Sequence, residues 1–371
     1  MSKNPLFSIA VALCLAACTT PPTRSDAPPP AATAPATATA PTALVPERYV
    51  SADNPGDELD SLATWPAADG RTWLIATAKS SHSLVVFDAD SGERLRAFGH
   101  KGGGPGEFLR PNGIAVYGNH LFVAERDNHR VQVFELPGFE PLGTFGAEQL
   151  TSPYGLWIHE AAPGEYEVYV TDSFMEGEHY DVVPPLEQLD RRVRRYRVTF
   201  DDDGRHFRAR DEGSFGDTSE SMALRIVESI AGDPAQRRLL VADEDMRHAS
   251  NLREYTFDGQ PTGRELPAGT FEAQAEGVAL WSCTPDSGYW VAADQRYPQT
   301  HFLLFDRDTL AARGSFMGET TAHTDGIALH AAATRKFPFG ALFAVHDDKA
   351  VTAFDLGDVV RALELDPRCA Q

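Results

Sequence analysis

The sequence predicts an all-β chain folded as a six-bladed β-propeller. Three observations predict it: one short phrase repeated six times, a second phrase that follows each copy, and the spacing between copies. The first phrase is a polar residue, a small residue and a short apolar run. It is plainest at His323-Thr324-Asp325-Gly326-Ile327-Ala328-Leu329-His330 and returns at Gln274-Ala275-Glu276-Gly277-Val278-Ala279-Leu280. Further copies are Ile226-Val227-Glu228-Ser229-Ile230-Ala231, Ser152-Pro153-Tyr154-Gly155-Leu156-Trp157, Arg110-Pro111-Asn112-Gly113-Ile114-Ala115-Val116 and, more weakly, Glu58-Leu59-Asp60-Ser61-Leu62-Ala63. The residue before the small one is Asp60, Asn112, Tyr154, Glu228, Glu276 and Asp325 in turn, at gaps of 52, 42, 74, 48 and 49 residues. That is the period range of propellers and arrays.

The second phrase is a hydrophobic strand, a polar loop and a strand often closing on Phe-Asp. Examples are Trp73-Leu74-Ile75-Ala76 to Val86-Phe87-Asp88, Leu121-Phe122-Val123-Ala124 to Val133-Phe134-Glu135, and Leu342-Phe343-Ala344-Val345 to Ala353-Phe354-Asp355. Short β-branched and aromatic runs bounded by Gly, Asp and Pro read as strands joined by turns. Three or four strands in each unit give blades around a central channel.

In such a fold the first strand of each blade lines the channel, so Asp60, Asn112, Tyr154, Glu228, Glu276 and Asp325 form a ring. Four converging carboxylates repel one another and resist ionisation unless a cation joins them. A hard cation with oxygen ligands, Ca²⁺ above all, suits such a donor set. The plainer alternative is a polar rim with no ligand.

Taken in order, the chain begins with an address. Lys3 precedes an apolar run over 6–15 and then Leu15-Ala16-Ala17-Cys18. The run is too short to span a bilayer and reads as a signal peptide over 1–18. Its end looks like a bacterial lipobox, which would make Cys18 the lipidated first residue of the mature protein. Residues 19–45 are rich in Pro, Ala and Thr and read as a disordered tether. Residues 46–371 are then one propeller domain. The expected location is the bacterial cell envelope, lipid-anchored to the outer membrane, with no other membrane contact.

A net charge of −21 argues against nucleic acid and against anionic membrane surfaces. Cys283 and Cys369 either pair, stapling the C-terminal tail to the fifth blade, or remain separate thiols. The glycine-rich run Gly99-His100-Lys101-Gly102-Gly103-Gly104-Pro105-Gly106-Glu107-Phe108 lacks the P-loop pattern. Together with Val123-Ala124-Glu125-Arg126-Asp127-Asn128-His129-Arg130-Val131 it resembles the NHL repeat, a propeller unit of binding modules and some enzymes. The gap of 74 residues places an insertion around 174–192 in the third blade, where a loop can shape a binding mouth.

The fourth blade carries Val241-Ala242-Asp243-Glu244-Asp245 after its second strand, and the last offers His346-Asp347-Asp348 at the corresponding place. The equivalent loops of the first two blades supply Lys79 and Arg126. Carboxylates and cations on one face suit metal-assisted chemistry on a phosphate ester. No Ser-His-Asp, G-x-S-x-G or H-E-x-x-H pattern competes.

With these residues in place the chain resembles the β-propeller phytases, over about 55–360. The clearest matches are Ala275-Glu276-Gly277-Val278 with Tyr289-Trp290-Val291-Ala292-Ala293-Asp294, and His323-Thr324-Asp325-Gly326 with Phe343-Ala344-Val345-His346-Asp347. The resemblance implies a six-bladed Ca²⁺-dependent enzyme releasing phosphate from inositol hexakisphosphate. It implies metal ligands at Glu228, Asp243 or Glu244, Glu276 and Asp325, to which the ring adds Asp60, with catalytic roles for Glu228, Glu276 and Asp325. Lys79, Arg126 and Tyr154 would bind substrate. Gln274 stands where that family has an acid, and Ala78-Lys79 where it has two lysines. The expected partner is a small phytate-like phosphate ester, taken by a monomer. Two other classes fit the same fold: a non-catalytic propeller lipoprotein binding a ligand or protein at the channel mouth, and a metal-dependent lactonase.

Overall fold

In the computed structural model, which describes residues 42–370, each copy of the paired phrases forms an antiparallel sheet. Blade 1 runs from channel to rim through Leu59–Pro66, Thr72–Ala78, Ser83–Asp88 and Arg94–Phe98. Blade 2 uses Pro111–Tyr117, His120–Glu125, Arg130–Glu135 and Glu140–Phe145, and blade 3 uses Pro153–Ala162, Glu165–Asp172, Val193–Phe200 and Phe207–Phe215. Blade 4 is Val227–Asp233, Arg238–Asp243, Asn251–Thr256 and Pro261–Glu265, and blade 5 is Ala275–Thr284, Ser287–Asp294, His301–Asp306 and Ala312–Met317. Blade 6 takes Ile327–His330, Ala341–His346 and Ala350–Asp355 from the end of the chain. The innermost strand of each blade packs on that of the next, and the sixth on the first.

The core is six clusters, one between each pair of neighbouring blades. Trp65, Trp73 and Val86 of blade 1 meet Ile114, Leu121 and Phe134 of blade 2. At the closing seam Leu74, Val85 and Phe87 of blade 1 meet Phe343, Val345 and Val351 of blade 6. The middle strands are therefore apolar on both faces, one face toward each neighbour. This is why their sequence reads as continuous hydrophobic runs rather than alternation.

The repeated polar-small pair is a β-bulge. In blades 1 to 5 the inner strand's register jumps from Leu59 to Leu62, Pro111 to Ile114, Pro153 to Leu156, Val227 to Ile230 and Ala275 to Val278. The pairs skipped are Asp60-Ser61, Asn112-Gly113, Tyr154-Gly155, Glu228-Ser229 and Glu276-Gly277. A bulge inserts an extra residue and re-aims side chains, here at the channel mouth. The small residue follows from close approach between blades. A Cβ on Gly155 would stand 2.1 Å from the Glu228 carbonyl oxygen, and one on Gly326 2.3 Å from that of Asp60.

The N-terminal segment closes the ring. Tyr49–Val50 is the outer strand of blade 6, antiparallel to Ala353 and Thr352. Thr42–Leu44 adds a parallel fifth strand to blade 5 beside Ser315–Met317. The expectation that the tether runs to residue 45 is thereby corrected. Val45 is buried in the core between blades 5 and 6, so this short stretch does have something to bury. The expected signal peptide, Cys18 and the expected tether up to residue 41 lie outside the described residues. At the other end, the helix Leu356–Ala362 is capped by the Asp355 carboxylate, and Cys283 and Cys369 form a disulfide. The insertion falls where the spacing put it, between the second and third strands of blade 3.

Candidate metal centre at the channel mouth

The five bulges, with the segment before Ile327 in blade 6, bring the six ring residues together, with a second tier from the loops that follow each second strand. The ring is tied through its backbone. Thr77 Oγ1 donates to the Asn112 carbonyl at 2.6 Å and Thr171 Oγ1 to that of Glu228 at 2.8 Å. Gly326 N donates to the Asp60 carbonyl at 3.0 Å, and Gly277 N to that of Asp325 at 2.9 Å. The side chains are thus carried on a rigid frame, as a preorganised site requires.

The acids of the mouth divide into two groups. Lys79 Nζ lies 3.2 Å from Asp325, 3.4 Å from Asp60 and 3.7 Å from Glu58. Gln295 Nε2 also donates to Asp325. Burial alone would lower the Lys79 pKa, but the charges of Asp60 and Asp325 outweigh it and hold the ammonium ionised. This half of the ring has its own cation.

Glu228, Glu244 and Glu276 form the other half, each offering an oxygen within 4.8 Å of the others'. Gln274 Nε2 reaches Glu244 at 3.4 Å, and Tyr154 stands close to Glu228. Burial raises the pKa of Glu228 to about 7, and the Asp60 charge adds to this while Lys79 opposes it. Burial, then the neighbouring carboxylates, push Glu244 and Glu276 well above the usual carboxylate range. Tyr154 is likewise raised, first by burial and then by the surrounding acids.

The residues present fit a divalent cation. Glu244 Oε1, Asp60 Oδ2, Asn112 Oδ1 and Asp348 Oδ1 are buried without a hydrogen-bond partner. Such orphaned acceptors are costly unless something binds them. The donors of the glutamate group are all oxygens, the preference of Ca²⁺ rather than of softer metals. His323, Asp325 and Asp348 make a second group of three within 4.8 Å, beside the Lys79 half.

Two expected site residues stand elsewhere. Asp243 was expected as a metal ligand, but its carboxylate accepts backbone N–H bonds from Arg225, Ile226 and Asp245 at 3.1, 3.0 and 3.2 Å. Asp172 and Asp294 do the same for Thr151–Ser152 and Glu272–Ala273, so this acid is a repeated loop clamp. Arg126 was expected to bind substrate. Its Nε instead donates to Asp127 at 2.7 Å, and its other neighbours include His129, Thr151 and Tyr180.

Glu58, Arg110 and His323 were missed as site residues. All three sit two positions ahead of a ring residue, a place the repeat marks but whose side-chain types vary too much to stand out. The channel beneath the ring is a cavity of about 650 Å³ walled by the inner strands.

Comparison with known proteins agrees with this architecture. The NHL repeat family matches residues 108–134, within blade 2. No curated protein matches the chain. A solved structure described as a calcium-binding protein, regucalcin, from Agrobacterium tumefaciens is similar at a TM-score of 0.52 and 12% identity, covering 84% of this chain and 95% of that one. Kuenenia stuttgartiensis hydrazine synthase aligns at a TM-score of 0.48 and 13% identity, covering 83% and 97%. At 12% identity the likeness to the regucalcin structure is one of fold alone. The chain is a six-bladed β-propeller, and part of its second blade, residues 108–134, matches the NHL repeat family.

Proposed function

We propose that the protein is a Ca²⁺-dependent phosphomonoesterase acting on an inositol phosphate or related ester, the activity that the phytase-like resemblance implies. The observation that carries this reading is the Glu228–Glu244–Glu276 group. It gathers three carboxylates, two buried and one half-buried, with no ion pair to a cation among the described residues, next to a lysine-bearing half of the same ring. Glu244 and Glu276, with Glu228, would hold the ion. Ca²⁺ there would neutralise the glutamates and act as a Lewis acid toward phosphoryl oxygen and water. Lys79 would supply fixed positive charge to the phosphate, Tyr154 would line the site beside Glu228, and Asp325, on the lysine-bearing half, would orient the attacking water. We further propose a monomer, lipid-anchored through Cys18 in the bacterial envelope.

A second reading is favoured by one observation. Lys79 is already surrounded by three carboxylates and Arg126 is turned to Asp127, so the phosphate-facing charge is small. On that reading the mouth binds a cation or a partner without turnover. Phosphate release from phytate and from p-nitrophenyl phosphate, with Ca²⁺ and with chelator, separates the two. The enzyme reading expects release that needs Ca²⁺ and falls at least about a hundredfold in Glu276→Ala and Asp325→Ala. Folded protein that releases none under either condition contradicts it.

A further inference from the structure

Three blades share an uncommon backbone at one position. Glu58, Arg110 and His323, each two residues ahead of a ring residue, have φ of 54°, 52° and 46°. The left-handed region is unfavourable for a non-glycine residue, and such strain concentrates at binding sites. In blades 1 and 2 it brings two opposite charges together over Lys79. Arg110 Nη2 donates to Glu58 Oε1 at 3.1 Å, Ser80 Oγ donates to the other Glu58 oxygen, and Lys79 Nζ lies 3.7 Å away.

Among the three carboxylates around Lys79, Glu58 is the one able to leave. Its side chain is 30% exposed, against 2% for Asp60 and 14% for Asp325. It is also the one that touches a second cation. Arg110 Nε, meanwhile, is buried with no acceptor. An oxyanion in place of the Glu58 carboxylate would meet the lysine, the hydroxyl and the guanidinium. With several oxygens rather than two, a phosphoryl group could also serve Arg110 Nε, completing the fork that guanidinium groups favour for such anions.

We propose that Lys79 and Arg110 hold the phosphoryl group of the ligand, and that Glu58 occupies its place until the ligand enters. This rests on the phosphate-ester reading of the same mouth and names Arg110, rather than Arg126, as the second cation of the site.

The test is calorimetric titration of inorganic phosphate into the purified protein at saturating Ca²⁺ and constant ionic strength. Glu58→Gln, which keeps shape and removes charge, is expected to tighten phosphate binding about tenfold. Arg110→Gln is expected to weaken it by about the same factor, and Arg110→Lys, which keeps the charge but loses the fork, by less. In the Arg110→Gln background Glu58→Gln should recover little, because the two residues act at one place. Unchanged or weaker phosphate binding in Glu58→Gln, or affinity indifferent to Arg110, overturns the proposal. Phosphate binding with the expected pattern in a protein that hydrolyses no ester would retain this site and sink the enzyme. Ester hydrolysis with phosphate affinity indifferent to Arg110 would do the reverse.

Discussion

Glu228, Glu244 and Glu276 set the pH behaviour of the protein. Glu228 moves from an ordinary value of 4.5 to about 7 on folding, mainly through burial, so the folded state binds a proton that the unfolded state has released. Stability contributed by that proton is lost as pH rises from about 4.5 through 7. Glu244 and Glu276 are shifted in the same direction and extend the loss upward. Thermal melting of chelator-treated protein should therefore fall as pH rises across this range. A cation binding only the folded state at a hundred times its Kd adds about 2.7 kcal/mol. Ca²⁺ should accordingly raise the melting temperature by several degrees above pH 7 and much less at pH 5. A melting curve flat in pH, with or without Ca²⁺, would show that these acids carry no such burden. The ring acids themselves were legible in the sequence, because one register unites all six. Their division was not, since it depends on where Lys79 reaches from the loop above. Asp243 misled for a related reason: an acid in a polar loop has the same sequence signature whether it clamps backbone or binds metal.

The bulge is the element that turns the repeat into a site. Its polar residue faces the mouth and its small residue lets neighbouring inner strands touch. Gly155→Ala should cost about 1–3 kcal/mol as an overpacking change, read as a lower denaturation midpoint. Ser229→Ala, at the equivalent place in blade 4, should be close to neutral. Equal effects would mean that the contact with the Glu228 carbonyl does not select glycine. The insertion of blade 3 has its own anchor. Arg192 is fully buried and donates to the carbonyls of Asp172, Phe174, Leu224 and Arg225. Burial pulls its pKa down to about 10, the acids Asp172 and Asp243 opposing the shift. Removing it as Arg192→Ala leaves those carbonyls unpaired and should cost roughly 3 kcal/mol. Limited proteolysis should then cut first within 174–192. The sequence showed this insertion only as excess length, since an arginine serving four carbonyls has no local pattern to betray it.

At the scale of the whole molecule, a propeller closes only if its last blade is joined to its first. Here the segment 42–51 does this, with Glu47 accepting backbone N–H bonds from Glu319, Thr320 and Thr321 at 2.9, 3.0 and 2.7 Å. Tyr49 reaches across to the Ala89 carbonyl at 3.0 Å. The six-bladed fold followed from the hydrophobic phrases alone. The closure did not, because a two-residue strand carries no periodicity. The Cys283–Cys369 bond ties the C-terminal helix region to blade 5 across 86 residues. Its reduction should cost about 2–5 kcal/mol, seen as a lower melting temperature with dithiothreitol. No change on reduction would show that the tail's packing suffices.

The central claim is that the divided ring binds a divalent cation through its glutamate half. Titration of Ca²⁺ into chelator-stripped protein, wild type beside Glu276→Gln and Glu244→Gln, tests it most directly. The account predicts saturable binding by the wild type, weakened at least about tenfold in either variant while both stay folded. Folded wild type that takes up no Ca²⁺, or binding undiminished in both variants, would contradict it.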